Sequence, residues 1–445
     1  MRIVDSGSVT FKAVLIGVIV LLLLIPLAML QSVVTERAGL REQAYQRVAE
    51  GWGGELTAGG PLLIVPTERE IAGREPRIQR TDVYLLPAKL DADVKVTLDA
   101  QPRYVGIYAV PVYLSTLNLQ GDFDFTSLRG RVEQPGVTFL WAQARLRLPI
   151  SNVRSLREIK EANFAGQQVK LGPAVPGIYS GIEAMVDLTQ LHQSDHVRFD
   201  FATVIAGSRA LSMLPLGSVT TVNISADWPH PSFQGAFLPV ERKIDDAGFQ
   251  ARWQVLELNR SYGQAWYEDE GTKEAIRQSA FGVSLFQPVD IYQRGERAVK
   301  YAVLFIALTF LTFFAWEHMS RNRLHPLQYL LVGLALSMFY LLLIALSEHI
   351  AFALAYITAA AALVLLIGLY LAGALGSTRR GVIAAGAMSL VYGLLYMLVL
   401  SEDYSLLLGS IILFAALAAV MLATRRVDWY RLRPEEPSRT EASYR

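Results

Sequence analysis

Six long apolar stretches constrain this chain more than any other feature. One lies at the N-terminus, Ala13–Thr35; the others are Val299–Trp316, Leu327–Leu346, Ile350–Gly373, Val382–Leu400 and Tyr404–Thr424. A helix needs about 20 apolar residues to cross the hydrocarbon core of a bilayer. The pattern predicts an integral membrane protein with one large aqueous domain between its first and second crossings.

The expected divisions follow: residues 1–35 as a head and first span, 36–297 as a polar domain, 298–424 as a five-helix bundle and 425–445 as a basic tail. The hydrophobic share, 52% against 18% charged, is concentrated in the six stretches. Lys plus Arg (41) nearly balances Asp plus Glu (40), so charge points to no nucleic-acid partner. With no cysteine, disulfides, thiolate metal sites, iron–sulfur clusters and a cysteine nucleophile are all excluded. The first stretch continues through Leu21-Leu22-Leu23-Leu24-Ile25-Pro26 to Val34 without a convincing cleavage site, as an uncleaved anchor would.

Basic residues in short connections mark the cytoplasmic side. Arg321 and Arg323 lie between spans two and three, Arg379 and Arg380 between spans four and five, and Arg425 and Arg426 open the tail. The alternate connections, Ser347-Glu348-His349 and Ser401-Glu402-Asp403, carry no Lys or Arg. This alternation predicts both termini inside and residues 36–297 outside. Arg37, Arg41 and Arg47 run against it, but residues leading into a long translocated domain count for less.

Within the membrane, small residues recur every fourth position: Gly368, Ala372 and Gly376; Gly381, Ala385, Ser389 and Gly393; Ala415, Ala419 and Ala423. Such strips let helices approach closely. No ionisable residue sits at mid-span, which argues against a transport path or proton relay. No His-Glu-x-x-His or Gly-x-Ser-x-Gly motif is present.

The polar domain opens with a helical extension, Glu36–Glu50, ended by Gly51, Gly53 and Gly54. Period-two alternation follows, clearest in Leu90, Ala92, Val94, Val96 and Leu98 and again in Val197, Phe199, Phe201 and Thr203. Short strands separated by Gly and Pro turns predict an antiparallel, sandwich-like β domain. A helix is expected near Arg154–Ala162, and a helix or long loop over Asn259–Arg277. His192 and His196, with Asp195, have a spacing that could hold a metal on a helix. The simpler reading is a polar turn before the strand Val197–Phe201, so no metal and no cofactor is expected. Nothing picks out a catalytic carboxylate pair.

The most distinctive segment is Asp227-Trp228-Pro229-His230-Pro231-Ser232-Phe233, continuing to Phe237. Two prolines stiffen the backbone while the aromatics supply large apolar anchors. The segment is either a platform for a partner or ligand, and so the candidate partner-binding loop, or a corner pinned by buried aromatics, which is the simpler reading.

At this point the residues resemble a known family. Arg323-Leu-His-Pro-Leu-Gln-Tyr-Leu-Leu-Val-Gly333, Met338-Phe-Tyr-Leu-Leu342 and Ala345-Leu-Ser-Glu-His349 are similar to the signature of the CreD family of bacterial inner-membrane proteins. Leu24-Ile-Pro26, Asp227–Phe233, Gly248-Phe-Gln-Ala-Arg-Trp253 and Arg297-Ala-Val-Lys-Tyr301 match in order. The resemblance implies an inner-membrane protein linked to cell-envelope integrity, produced under a two-component regulatory system; the leading reading is a non-enzymatic binding role. Its partners would be the lipid bilayer and an envelope protein or glycan. It brings no catalytic residues to transfer. The rival classes are an enzyme acting on envelope glycan or lipid, and a transporter or lipid-handling protein.

Overall fold

The computed structural model describes residues 9–71, 77–132, 134–174, 178, 180–285, 291–320, 325–374, 376–401 and 405–424. The chain divides into a helical unit, Met1–Leu40 with Val289–Arg445, and a β-rich unit, Arg41–Pro288. Helix α1 (Val9–Trp52) runs through the first division. The β-rich unit also holds α2 (Phe125–Val132) and α3 (Glu270–Gln278). The helical unit adds α4 (Ile291–Ser320), α5 (Pro326–Ser347), α6 (Phe352–Ala374), α7 (Thr378–Leu400) and α8 (Ser405–Thr424).

Among the described residues four helices are long and apolar enough to cross a membrane: α1, α5, α6 and α7. Their large outward side chains are apolar, as Leu366, Leu369, Val382 and Leu390 show, which suits lipid as the surrounding solvent. The predicted small-residue strips are used in part. A Cβ on Gly381 would lie 2.6 Å from the Ala372 Cβ and 2.7 Å from the Gly368 oxygen, so α6 and α7 touch backbone to backbone here. Further along α7, Gly393 faces open space and Ser389 is exposed; Ala384, Met388 and Tyr392 take over the buried face. Beyond the strips, aromatics lock the interior. Phe339 stands edge-on to Tyr340, Tyr356 and Tyr392, and the Tyr356 hydroxyl donates to the Tyr392 carbonyl at 2.6 Å.

In the β-rich unit the described strands form sheets of eight, seven and four strands and a short hairpin. The eight-stranded sheet runs, in spatial order, Gln167–Gln168, Leu156–Phe164, His196–Gly207, Tyr113–Asp124, Lys89–Leu98, Val219–Ala226, Gly248–Leu256 and Glu241–Asp245. Its central strands bury alternate residues as the period-two pattern predicts: Leu90, Ala92, Val94 and Val96 on one strand, Val197, Phe199, Phe201 and Thr203 on another. The seven-stranded sheet centres on Leu62–Ile71, whose run Leu62–Val65 is buried continuously. The central strands of the three larger sheets contribute to one hydrophobic core around Trp253, Phe123 and Phe281.

Two expectations need correction. The sheets are mixed rather than purely antiparallel: Lys89–Leu98 pairs with Val219–Ala226 in parallel, as does Leu56–Gly59 with Ala210–Leu214. The helix expected over Arg154–Ala162 is a strand, Leu156–Phe164, paired with His196–Gly207 through two irregular steps. Its helix-forming residues are overridden by the open side of a sheet that needed pairing. Asn259–Arg277 holds both the short strand Ala265–Tyr267 and most of α3. Asp269 caps α3, its carboxylate accepting the Thr272 N–H at 2.7 Å.

Candidate binding cleft at the Trp228 corner

The strand Val219–Ala226 ends at Asp227, whose Oδ1 accepts the Leu98 N–H at 3.2 Å. The chain then turns through Trp228-Pro229-His230, and the Trp228 indole donates to the His230 carbonyl at 3.0 Å. That bond, with the two prolines, closes a compact turn in which the Trp228 and His230 rings meet edge-on at 6.3 Å. From Pro231 to Gly235 the chain is an edge strand on Phe281–Leu285. Phe233 stands edge-on to Trp253 and Phe249, and Phe237 edge-on to Phe281. The fully buried Trp253 donates its indole N–H to the Phe237 carbonyl at 3.2 Å. Phe233 and Phe237 are thus structural pins, while His230 is exposed. Trp228 is half-buried over a crevice shared with Tyr45, Tyr113 and Arg209.

Beside this corner lies an open cleft of about 650 Å³, lined by Lys95, Thr97, Asp227, Lys243, Asp245 and Gln250 among others. Its size falls in the range of small-ligand sites, roughly 300–1,000 Å³. It joins four strands drawn from well-separated parts of the sequence, which is why only Asp227 was legible beforehand. Lys95 is an outward residue of the alternating strand Lys89–Leu98, and Lys243 and Asp245 belong to the fully exposed edge strand Glu241–Asp245. Lys243 and Asp245 approach to only 4.0 Å. The wall therefore offers two ammonium groups, two carboxylates, an amide and hydroxyls, a set suited to a polar, hydrogen-bonding ligand.

The histidines expected as a possible metal pair turn to different partners. The His192 ring stacks on Trp141 at 4.6 Å and its Nδ1 donates to the Leu188 carbonyl. His196 opens a strand and pairs with Asp122 at 2.8 Å, while Asp195 accepts from the Thr126 hydroxyl. No group of three or more metal-ligating side chains forms among the described residues.

A partly buried ionic layer went unread. Arg147 is almost fully enclosed and binds Glu183 at 2.7 Å; Lys273 reaches Glu268 at 2.6 Å and Glu270 at 2.8 Å; Arg145 pairs with Asp82. Tyr84, stacked on Trp266 at 5.2 Å, sits among them. Burial opposes charge on Lys273, but its hydrogen bonds to Glu268 and Glu270 outweigh that and hold the ammonium charged well above the usual lysine range. A lysine held this way is a clamp between α3 and the sheet, and a poor nucleophile. The signal was there in Ala144-Arg-Leu-Arg-Leu148, where basic residues interrupt a core strand.

Of the residues read as topology markers, Arg379 and Arg380 occupy the first turn of α7. Arg321, Arg323, Arg425 and Arg426 lie outside the described residues, as do Glu402, Asp403 and the tail.

Long apolar helices joined to a large sheet-built unit define a multi-pass membrane protein with a substantial aqueous domain. The particular family follows from comparison: the chain belongs to the CreD family, whose model, described as "Inner membrane protein CreD", matches residues 8–430. Inner membrane protein CreD of Escherichia coli (strain K12) is 34% identical over 417 residues, covering 92% of this chain and 91% of that protein. The chain is therefore an inner-membrane protein. Among solved structures, two of an M1 zinc metallopeptidase from Deinococcus radiodurans align, one a mutant bound to a Tyr-Ser-Ala substrate. They cover 38% of this chain and 39% and 38% of theirs, at 11% and 12% identity with TM-scores of 0.20 and 0.19. Likeness at that level carries no argument.

Proposed function

We propose that the chain spans the inner membrane six times with both termini in the cytoplasm. Residues 36–297 then lie in the periplasm, where the cleft beside Trp228 binds an envelope component, a glycan or a segment of a partner protein. The role is binding in support of envelope integrity, not catalysis. One observation carries this reading: the family-matching residue Asp227 opens onto a polar cleft with Lys95, Lys243 and Asp245, on the exposed end of the largest sheet. The alternation of basic and non-basic connections supports the orientation.

Reporter fusions test the orientation. They should report periplasm near Gly130 and cytoplasm after Arg323, Arg380 and Arg433; reversal at any of them removes it. For the cleft, a photo-cross-linker at Thr97 or His230 should capture an envelope component, and the capture should drop in Lys95→Ala/Lys243→Ala. Capture that is indifferent to both lysines would refute binding there. Asp227 and Asp245 also give the rival enzyme reading a nameable pair, since both line one cleft. Turnover of envelope glycan strands that vanishes in Asp227→Asn and Asp245→Asn at unchanged protein level would replace the binding reading.

A further inference from the structure

We infer that the helical unit holds an anionic phospholipid at the end where α1 passes Arg37, its phosphate on Arg294 and Arg297 and an acyl chain in the groove between α1, α5 and α6. Arg294 and Arg297 lie three residues apart in the opening turns of α4, where successive turns present neighbouring side chains. Arg294 Nε and Arg297 Nη1 are both shielded from solvent, and neither has a hydrogen-bond partner among the described residues. The Arg294 guanidinium lies over the Phe352 ring at 5.3 Å, at the start of α6.

Two acids at this end are already engaged. Glu348, from the Ser-Glu-His motif, accepts the Tyr292 hydroxyl at 3.1 Å and faces Arg37 at 3.6 Å. Glu296 turns to Lys300 at 3.8 Å. Shielded guanidinium N–H groups without an acceptor are costly, and a planar fork of donors matches a phosphate oxygen pair. The opening turns of a membrane helix lie at headgroup depth, where a lipid phosphate is at hand.

The groove selects the lipid over free phosphate. It measures about 620 Å³, is almost wholly apolar, and is lined by Met29, Val33, Met338, Leu342, Ala362 and Leu366 among others. Arg37 lies one turn beyond Val33 and Glu348 six residues beyond Leu342. These offsets are about 6 and 9 Å along their helices, so the groove runs up toward the charged end. Under the proposed orientation this is the outer leaflet.

The test uses the full chain, delipidated in a non-ionic detergent. Binding is read by native mass spectrometry and by the shift in melting temperature, with long-chain phosphatidylglycerol, dihexanoyl phosphatidylglycerol, phosphatidylcholine or inorganic phosphate added. Long-chain phosphatidylglycerol should bind and stabilise, and the other three clearly less. Arg294→Gln/Arg297→Gln should weaken it about thirtyfold, two cations at about 1 kcal/mol each. Arg294→Lys/Arg297→Lys, which keep the charge but lose the fork, should bind more tightly than the glutamine pair and more weakly than the unsubstituted protein, and Arg379→Gln/Arg380→Gln at the opposite end should keep all of the binding. Should the double glutamine variant not fold, single Arg297→Gln carries the same test at about fivefold. Equal binding of phosphatidylcholine, or no loss on removing the arginines, overturns the headgroup site. Inorganic phosphate acting alone overturns the lipid, and equal binding of the dihexanoyl form overturns the groove.

Discussion

The two units turn opposite things outward. In the β-rich unit the interior is aliphatic and aromatic, as around Trp253, and the outward faces of its strands are polar, as Lys89, Asp91, Asp93 and Lys95 show. In the helical unit the interior is again mainly aliphatic and aromatic, with buried hydroxyls such as those of Tyr340, Tyr356, Ser337, Ser347 and Thr309, but the outward residues are apolar too. Water drives the first arrangement, since apolar area removed from it contributes roughly 25 cal/mol per Å². Lipid offers no such drive, so close helix contact and interhelical hydrogen bonds must hold the second. The same residue type therefore has different worth in the two units, and substitution can measure this.

The largest effect is expected where water exclusion dominates. Trp253→Ala should destabilise the β-rich unit by about 4 kcal/mol, the usual range for a large buried aromatic, read as protease susceptibility and an earlier thermal transition. A loss under about 1 kcal/mol would deny that this ring anchors the core. Next, Arg147→Met removes a cation enclosed against Glu183 and should cost about 3 kcal/mol, because the carboxylate is left unpaired. Tolerance there would make the ionic layer dispensable.

In the helical unit Gly381→Leu forces α6 and α7 apart at Gly368 and Ala372. It should cost about 2 kcal/mol, as overpacking does, seen as loss of cross-linking between cysteines placed on the two helices. Tyr356→Phe removes one interhelical hydrogen bond and should cost only about 0.6 kcal/mol, the average for such bonds in membranes. A loss comparable with Trp253→Ala would erase the contrast between the units.

The smallest effect is acid lability of the β-rich unit. The hydrogen bond from Arg209 holds the Glu42 carboxyl below its ordinary value; for Glu257, burial pushes upward but Arg131 outweighs it. Both pKa values are depressed on folding, so the stabilisation is present above the unfolded value of about 4.3 and is lost as pH falls through the folded one. Both carboxylates are partly exposed, so a few tenths of a kcal/mol each is expected between about pH 5 and 3, measured as a falling urea midpoint. A rise in stability over that range would contradict the pairing.

Legibility in the sequence followed the locality of the interactions. Leu90–Leu98 was readable because alternation is a property of one strand facing one solvent. Leu156–Phe164 was misread because Arg, Glu, Lys and Ala favour helix locally, while its partner strand His196–Gly207 lies far along the chain. Phe233 and Phe237 could be recognised as apolar anchors, but the ring they pin, Trp253, arrives from another strand. The cleft was invisible for the same reason, since Lys95, Asp227 and Lys243 meet only through sheet pairing.

By itself the chain's order of apolar and polar residues determined that this is a membrane protein with a large sheet-rich aqueous unit, because partition between lipid and water depends on local composition. Which strands pair in parallel, where Asp227 meets Lys95, and how Arg294 Nε and Arg297 Nη1 come to lie shielded without an acceptor among the described residues were decided only by tertiary structure. Those outcomes depend on contacts between residues distant in the chain, and no short-range pattern encodes them.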